Sequence, residues 1–114
     1  MDYKDLLVSQ QAMDLCEETY RITEDFSKRE VFGLAAQLRK SAVSVPSNIA
    51  EGEGRLTSGE RRQFVSQARG SLFELETQLL IARRIGYAFE ESVFERLREE
   101  RRTLEGYLAY VRRR

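Results

Sequence analysis

Gln37-Leu-Arg-Lys-Ser-Ala-Val-Ser-Val-Pro-Ser-Asn-Ile-Ala-Glu-Gly-Glu-Gly-Arg55 holds the chain's single proline, two of its seven glycines and a polar cluster set inside a helical pattern. Leu38, Ala42, Val45 and Ile49 keep helical spacing through it. Pro46 has no backbone N–H, and in a regular helix its ring meets the carbonyl of residue 42. Val45, just before it, is pushed toward extended geometry. Two readings follow. One long helix is kinked at Pro46, or a new helix starts with Ser44 as N-cap and Pro46 in its first turn. The kinked helix is preferred, because proline is a known cause of bends in long helices. Ser41, Ala42, Ser44, Ser47 and Ala50 are small and leave room for a bend or a close neighbour. Gly52 and Gly54 are expected to end the helix through a left-handed cap. Asn48, Glu51 and Arg55 fall at i, i+3 and i+7, and Glu51 precedes Arg55 in the favourable i,i+4 order. They read as a polar network that fixes helix ends and a subunit contact.

Outward from this stretch the chain is amphipathic helix. Val8, Ala12, Leu15, Thr19, Ile22 and Phe26 alternate steps of four and three, the spacing of a bundle seam, and predict a helix from about Tyr3 to Phe26. Ser27 with Glu30 has the form of a capping box opening a second helix, from about Lys28 to Gly52. Thr57 with Glu60 is another, opening a third helix that ends near Ile85, with Gly86 as its cap. Arg83 and Arg84 suit the negative end of that helix. A fourth runs from about Glu90 to Arg112, with Phe94, Leu97, Leu104, Leu108 and Val111 facing inward and no good cap residue at its start. Short connections between such helices force antiparallel neighbours. The expectation is an all-α single domain over residues 1–114, an antiparallel up-down-up-down four-helix bundle with helix two kinked at Pro46.

Composition agrees. A third of the 114 residues are charged, and tryptophan is absent. That suits long solvated helices around one modest core. No signal peptide is evident, and the longest apolar runs, such as Leu79-Leu-Ile-Ala82, are far too short to span a bilayer. Cys16 is alone and reads as a small core residue, so a reducing cytoplasm fits. Formal net charge is zero, but residues 1–30 carry eight acids against four bases while 31–89 carry five against eight. Local patches are expected rather than one protein-wide field.

Ser44-Val-Pro-Ser-Asn-Ile-Ala-Glu-Gly52, followed by Arg55, closely resembles the signature of a bacterial four-helix-bundle family, the 23S rRNA-intervening-sequence proteins. Glu30-Val-Phe-Gly-Leu-Ala-Ala-Gln-Leu-Arg39, Ala68-Arg-Gly-Ser-Leu-Phe-Glu-Leu-Glu-Thr-Gln-Leu79 and Ile85-Gly-Tyr87 extend the likeness over nearly the whole chain. The chain is similar also to the accessory variability proteins of diversity-generating retroelements. The resemblance implies a homo-oligomer, typically a pentamer, with nucleic acid and a partner enzyme as candidate partners. The accessory proteins are strongly basic, whereas this chain is formally neutral.

For catalysis the inventory is thin. With no histidine, the usual general base and the Glu-x-x-His ligand motif of di-iron bundles are missing. Glu74 and Glu76, two apart, point in opposing directions on a helix. Gly54-Arg-Leu-Thr-Ser-Gly59 has the glycine spacing of a phosphate-binding loop, but Glu60-Arg61 stands where Lys-Ser/Thr is required. No enzymatic activity, cofactor or metal is expected. Arg62, Arg69 and Arg83 share nearly one face of helix three, and Arg39, Lys40, Arg55 and Arg61 can add to it. These are the candidate phosphate contacts. On helix four, Glu95 with Arg98, Glu99 with Arg102 and Arg101 with Glu105 are expected to neutralise one another. Helix three looks more apolar than one core needs. Phe64, Ala68, Leu75, Leu79 and Ala82 form one face, and Val65, Leu72, Phe73, Leu80 and Ile81 widen it. Gly70 sits mid-helix, where close approach would justify its cost of about 1 kcal/mol relative to alanine. Val65, Gly70, Leu72, Phe73 and Leu80 are therefore the candidate subunit interface. The expected function is a non-enzymatic homo-oligomeric scaffold with nucleic acid as candidate ligand. The alternative is an adaptor ring that docks a partner protein.

Overall fold

A computed structural model describes residues 2–30 and 32–113. Four helices carry the fold: α1 (Leu7–Glu24), α2 (Leu34–Glu53), α3 (Ser58–Arg84) and α4 (Ser92–Arg112), with no strand among the described residues. The molecule measures 45 × 24 × 21 Å. Its long dimension is close to that of α3, whose 27 residues span about 40 Å at 1.5 Å per residue.

Every helix buries one stripe. On α1 it is Val8, Ala12, Leu15, Thr19 and Ile22, the seam expected from spacing. The two threonines of this face are satisfied within the helix, Thr19 Oγ1 donating to the Leu15 carbonyl (2.8 Å) and Thr23 Oγ1 to the Thr19 carbonyl (2.9 Å). Phe26 lies beyond the helix and stacks on Tyr87 at 3.9 Å between ring centroids, closing one end of the core.

The capping-box expectation fails at Ser27 and holds at Thr57. Ser27 Oγ bonds the Tyr87 hydroxyl (3.0 Å) instead of a helix N–H. A short 3-10 turn, Lys28–Glu30, follows, and α2 starts only at Leu34. Glu30 still caps that helix, its carboxylate accepting from the Leu34 N–H (3.1 Å). Four orphan N–H groups and the positive end of the helix dipole favour an acid there. At α3, Thr57 Oγ1 accepts from the Glu60 N–H (3.2 Å) and donates to its carboxylate (3.0 Å). The far end of α3 closes as expected, with Gly86 at φ +113° and the Tyr87 N–H on the Ala82 carbonyl (3.0 Å).

Pro46 lies inside α2, which continues through it, so no new helix begins at Ser44. The glycines that follow do other work than a left-handed cap. Gly54 ends the helix at φ −83°, an ordinary right-handed geometry. Gly52 is buried in the last turn, where a Cβ would lie 3.2 Å from Phe64 Cβ and 3.3 Å from the Arg61 carbonyl oxygen. It is a close-approach glycine, and the helix it admits is α3.

α2 and α3 form the most extensive pairing. Their contacts run in opposite number order: Ser41 Oγ meets Gln78 Oε1 (2.9 Å), Ser44 Oγ meets Ser71 Oγ (2.7 Å), and Gly52 meets Phe64. Small side chains on α2 make this proximity possible, and their hydroxyls are bonded across the seam. The same opposing order relates α3 to α4, through Arg69 with Glu105 and Arg83 with Glu91. α3 packs against α2 and α4, and Val65, Ala68, Leu72, Leu75, Leu79 and Ala82 are all buried there. Val65 and Leu72, expected at a subunit contact, are thereby part of this chain's own core.

Candidate functional site

The signature stretch resolves into two separate pieces of chemistry. Asn48 turns along its own helix, its Nδ2 donating to the Ser44 carbonyl (2.8 Å) and hydroxyl (2.9 Å), and Ser44 reaches Ser71. This is an interhelical polar seam, half-buried and bonded. Glu51 and Arg55 pair at 3.0 Å on the exposed side, and the Arg55 guanidinium also lies 4.6 Å from the centre of the Phe64 ring. No hydrogen bond joins Asn48 to that pair among the described residues.

Glu53, at the end of the same stretch, was not legible as important. Its carboxylate accepts from the Tyr107 hydroxyl of α4 and lies 3.8 Å from Arg61 Nε of α3. One side chain thus ties three helices at one end of the bundle.

The basic residues expected to contact phosphate are mostly committed within the chain. Arg39 donates through Nε to Thr23 Oγ1 (2.8 Å) and covers the Tyr20 ring at 4.9 Å. Arg69 pairs with Glu105 and lies over Phe73. Arg83 pairs with Glu91, donates to the Phe89 carbonyl (3.1 Å) and covers both Phe89 and Phe94 at 4.8 Å. Arg61 is half-buried beside Glu53. Lys40 and Arg62 are exposed and have no hydrogen-bond or ion-pair partner among the described residues. The structure therefore does not gather the seven into one basic face. Arg62, Arg69 and Arg83 share a helix, but the latter two are drawn to α4.

On α4 the expected pairs are missing. None of Glu95–Arg98, Glu99–Arg102 or Arg101–Glu105 forms within 4 Å, and Glu105 is engaged by Arg69 from across the groove. Arg98, Arg101 and Arg102 are all exposed, and with Glu105 they line a crevice of about 200 Å³. Sequence alone could not show this, since the carboxylate that decides it is claimed by a residue 36 positions away.

The remaining interface candidates divide. Phe73 is half-buried under the Arg69 and Arg101 guanidinium groups (4.9 and 5.3 Å). Gly70 is exposed, and a Cβ there would meet nothing within 4 Å, so no close approach within this chain explains it. Leu80, Ile81 and Ile85 are 47, 45 and 59% exposed, an apolar patch at the end of α3. A second apolar feature is the groove between α1 and α2, where Tyr3, Met13, Cys16, Val43, Pro46 and Ala50 line about 840 Å³. Burial, and the Glu17 carboxylate beside it, push the Cys16 thiol's pKa up, which disfavours the reactive thiolate.

Among the described residues no cluster of three or more His, Cys, Asp or Glu side chains is placed to hold a metal ion. No helix among them is long and apolar enough to cross a membrane. One acid lies in the core. Glu100 falls on the inner face of α4 at regular spacing between Leu97 and Leu104, is fully buried, and neither carboxylate oxygen has a hydrogen-bond partner. Burial pushes its pKa up to about 9, so the group is a neutral acid at pH 7.

These features define a small all-α four-helix bundle, tied by polar seams and carrying its charge in local patches. The family model for 23S rRNA-intervening sequence protein matches residues 4–109. The chain belongs to that family. No curated protein gives a significant match.

Proposed function

We propose that this chain is a non-enzymatic, homo-oligomeric scaffold of the cytoplasm whose assembled form binds nucleic acid. The observation that carries self-association is the apolar patch of Leu80, Ile81 and Ile85 at the end of α3. These side chains lie outside the chain's own core, and exposed apolar side chains grouped at one helix end are what a subunit contact would cover. A closed cyclic ring, with five copies as the family resemblance implies, repeats each local charge patch around one axis. A ring of neutral protomers stays neutral overall, so the phosphate-binding reading rests on local basic patches brought together by repetition rather than on net charge.

The adaptor reading is favoured by a different feature, the apolar groove lined by Met13, Cys16, Val43 and Pro46. Pull-down with the tagged full chain from native lysate, with and without nuclease, separates the two. Recovery of RNA that is lost on nuclease treatment supports the scaffold reading. Recovery of no nucleic acid above a tag-only control contradicts it.

A further inference from the structure

We propose that the outer face of α4 at Arg98, Arg101 and Arg102 is a contact site for the phosphodiester backbone of a nucleic acid. The inference rests on the nucleic-acid reading above and names its surface. Three observations carry it. The arginines stand at i, i+3 and i+4 on α4, so they share one face with Cβ atoms about 5–6 Å apart. None has a carboxylate partner within 4 Å among the described residues, although Glu76, Glu95, Glu99 and Glu105 all lie nearby. Glu105, the acid best spaced to neutralise Arg101, is held by Arg69 instead.

Like charges at this spacing repel one another. The arrangement is relieved by an anion that bridges them, and guanidinium forks match phosphate oxygens in pairs. Arg101 is also steadied over the Phe73 ring, at 5.3 Å from its centre. That contact covers the face of the guanidinium and leaves its N–H rim for an acceptor.

The shape of the surface favours a polyanion over an acidic protein. Protein partners gain most from an apolar anchor in a pocket. Here the crevice among Leu72, Phe73, Glu76, Leu97, Arg98 and Arg101 is almost filled, with about 10 Å³ of space. Beside it, the crevice lined by Arg98, Arg101, Arg102 and the Arg69-paired Glu105 is charged. A phosphate backbone needs no apolar anchor.

The test is fluorescence anisotropy of a labelled 20-nucleotide poly(U) RNA with the full chain, against polyglutamate as competitor. Three phosphate contacts give a slope of about −2 in log affinity against log salt for a single strand, so affinity falls about 15-fold from 50 to 200 mM salt. In Arg98→Glu/Arg101→Glu/Arg102→Glu, affinity at 50 mM salt is expected to drop at least tenfold and the slope to shrink by about 2. Lys40→Glu/Arg62→Glu is expected to retain most of the binding. Should the reversed charges reduce helicity, glutamine at the same three positions gives the same comparison with charge removed. Wild-type binding that survives the α4 changes but is lost in Lys40→Glu/Arg62→Glu overturns this inference and leaves the nucleic-acid reading standing. No wild-type binding at 50 mM salt overturns both. Displacement of the RNA by polyglutamate at equal charge concentration also overturns it, because the face would then take an acidic polypeptide equally well.

Discussion

Glu100 makes the stability of this bundle depend on pH in a direction opposite to that of most acids. Its carboxyl is fully buried, unpartnered and neutral, with a pKa pushed up to about 9 from 4.5. Below 4.5 the group is protonated in both folded and unfolded chains and costs nothing by titration. Between 4.5 and 9 the unfolded chain releases a proton that the folded chain keeps, so stability falls as pH rises. Above 9 both states are ionised and the loss stops growing. At about 1.4 kcal/mol per pH unit, the penalty reaches at most about 3 kcal/mol at pH 7, with relaxation and water entry around the carboxyl reducing it. That is a large part of the 5–15 kcal/mol typical of a domain. Glu100→Leu keeps the volume apolar and removes the titration. Urea unfolding of both proteins at pH 5.5, 7 and 8.5, at one protein concentration, gives the difference in stability. The variant is expected to be the more stable, by a margin that widens with pH, by as much as 1.4 kcal/mol per unit. A margin that does not change with pH, or a variant less stable at every pH, refutes the assignment of Glu100 as a buried neutral acid.

Three further outcomes follow from the helix contacts. Gly52→Val places methyl groups against Phe64 and the Arg61 carbonyl and is expected to cost about 2 kcal/mol, read as a fall in Tm of about 10 °C. Gly70→Ala meets nothing within 4 Å in the protomer and replaces a poor helix former. Thermal melts are expected to show a gain of about 1 kcal/mol, and a loss instead places a second copy against that face. Pro46→Ala restores a backbone N–H inside α2 and is expected to straighten the helix and weaken assembly more than folding. An unchanged helix path and an unchanged association constant contradict the expected kink at Pro46.

Helix existence was readable because burial follows spacing: Val8, Ala12, Leu15, Thr19 and Ile22 are inside, as the steps of four and three require. The Thr57 cap and the Gly86 turn were readable because each depends on residues within a few positions. What was not readable depends on partners far along the chain. Ser27 leaves its expected cap for Tyr87, 60 residues away, and Gly52 serves α3 rather than its own helix end. The charge reading failed for the same reason. Local pairs on α4 are spaced to form, yet Arg69 takes Glu105, and Arg98, Arg101 and Arg102 are left without a carboxylate within 4 Å. Glu100 was visible in principle, since its position completes the apolar stripe between Leu97 and Leu104.

Self-association is the claim on which the scaffold reading depends, and the mass of the full chain in solution tests it most directly. Multi-angle light scattering at micromolar concentration is expected to give a multiple of the 13.3 kDa protomer, about 66 kDa for five copies. A single species at 13.3 kDa across that concentration range contradicts the account.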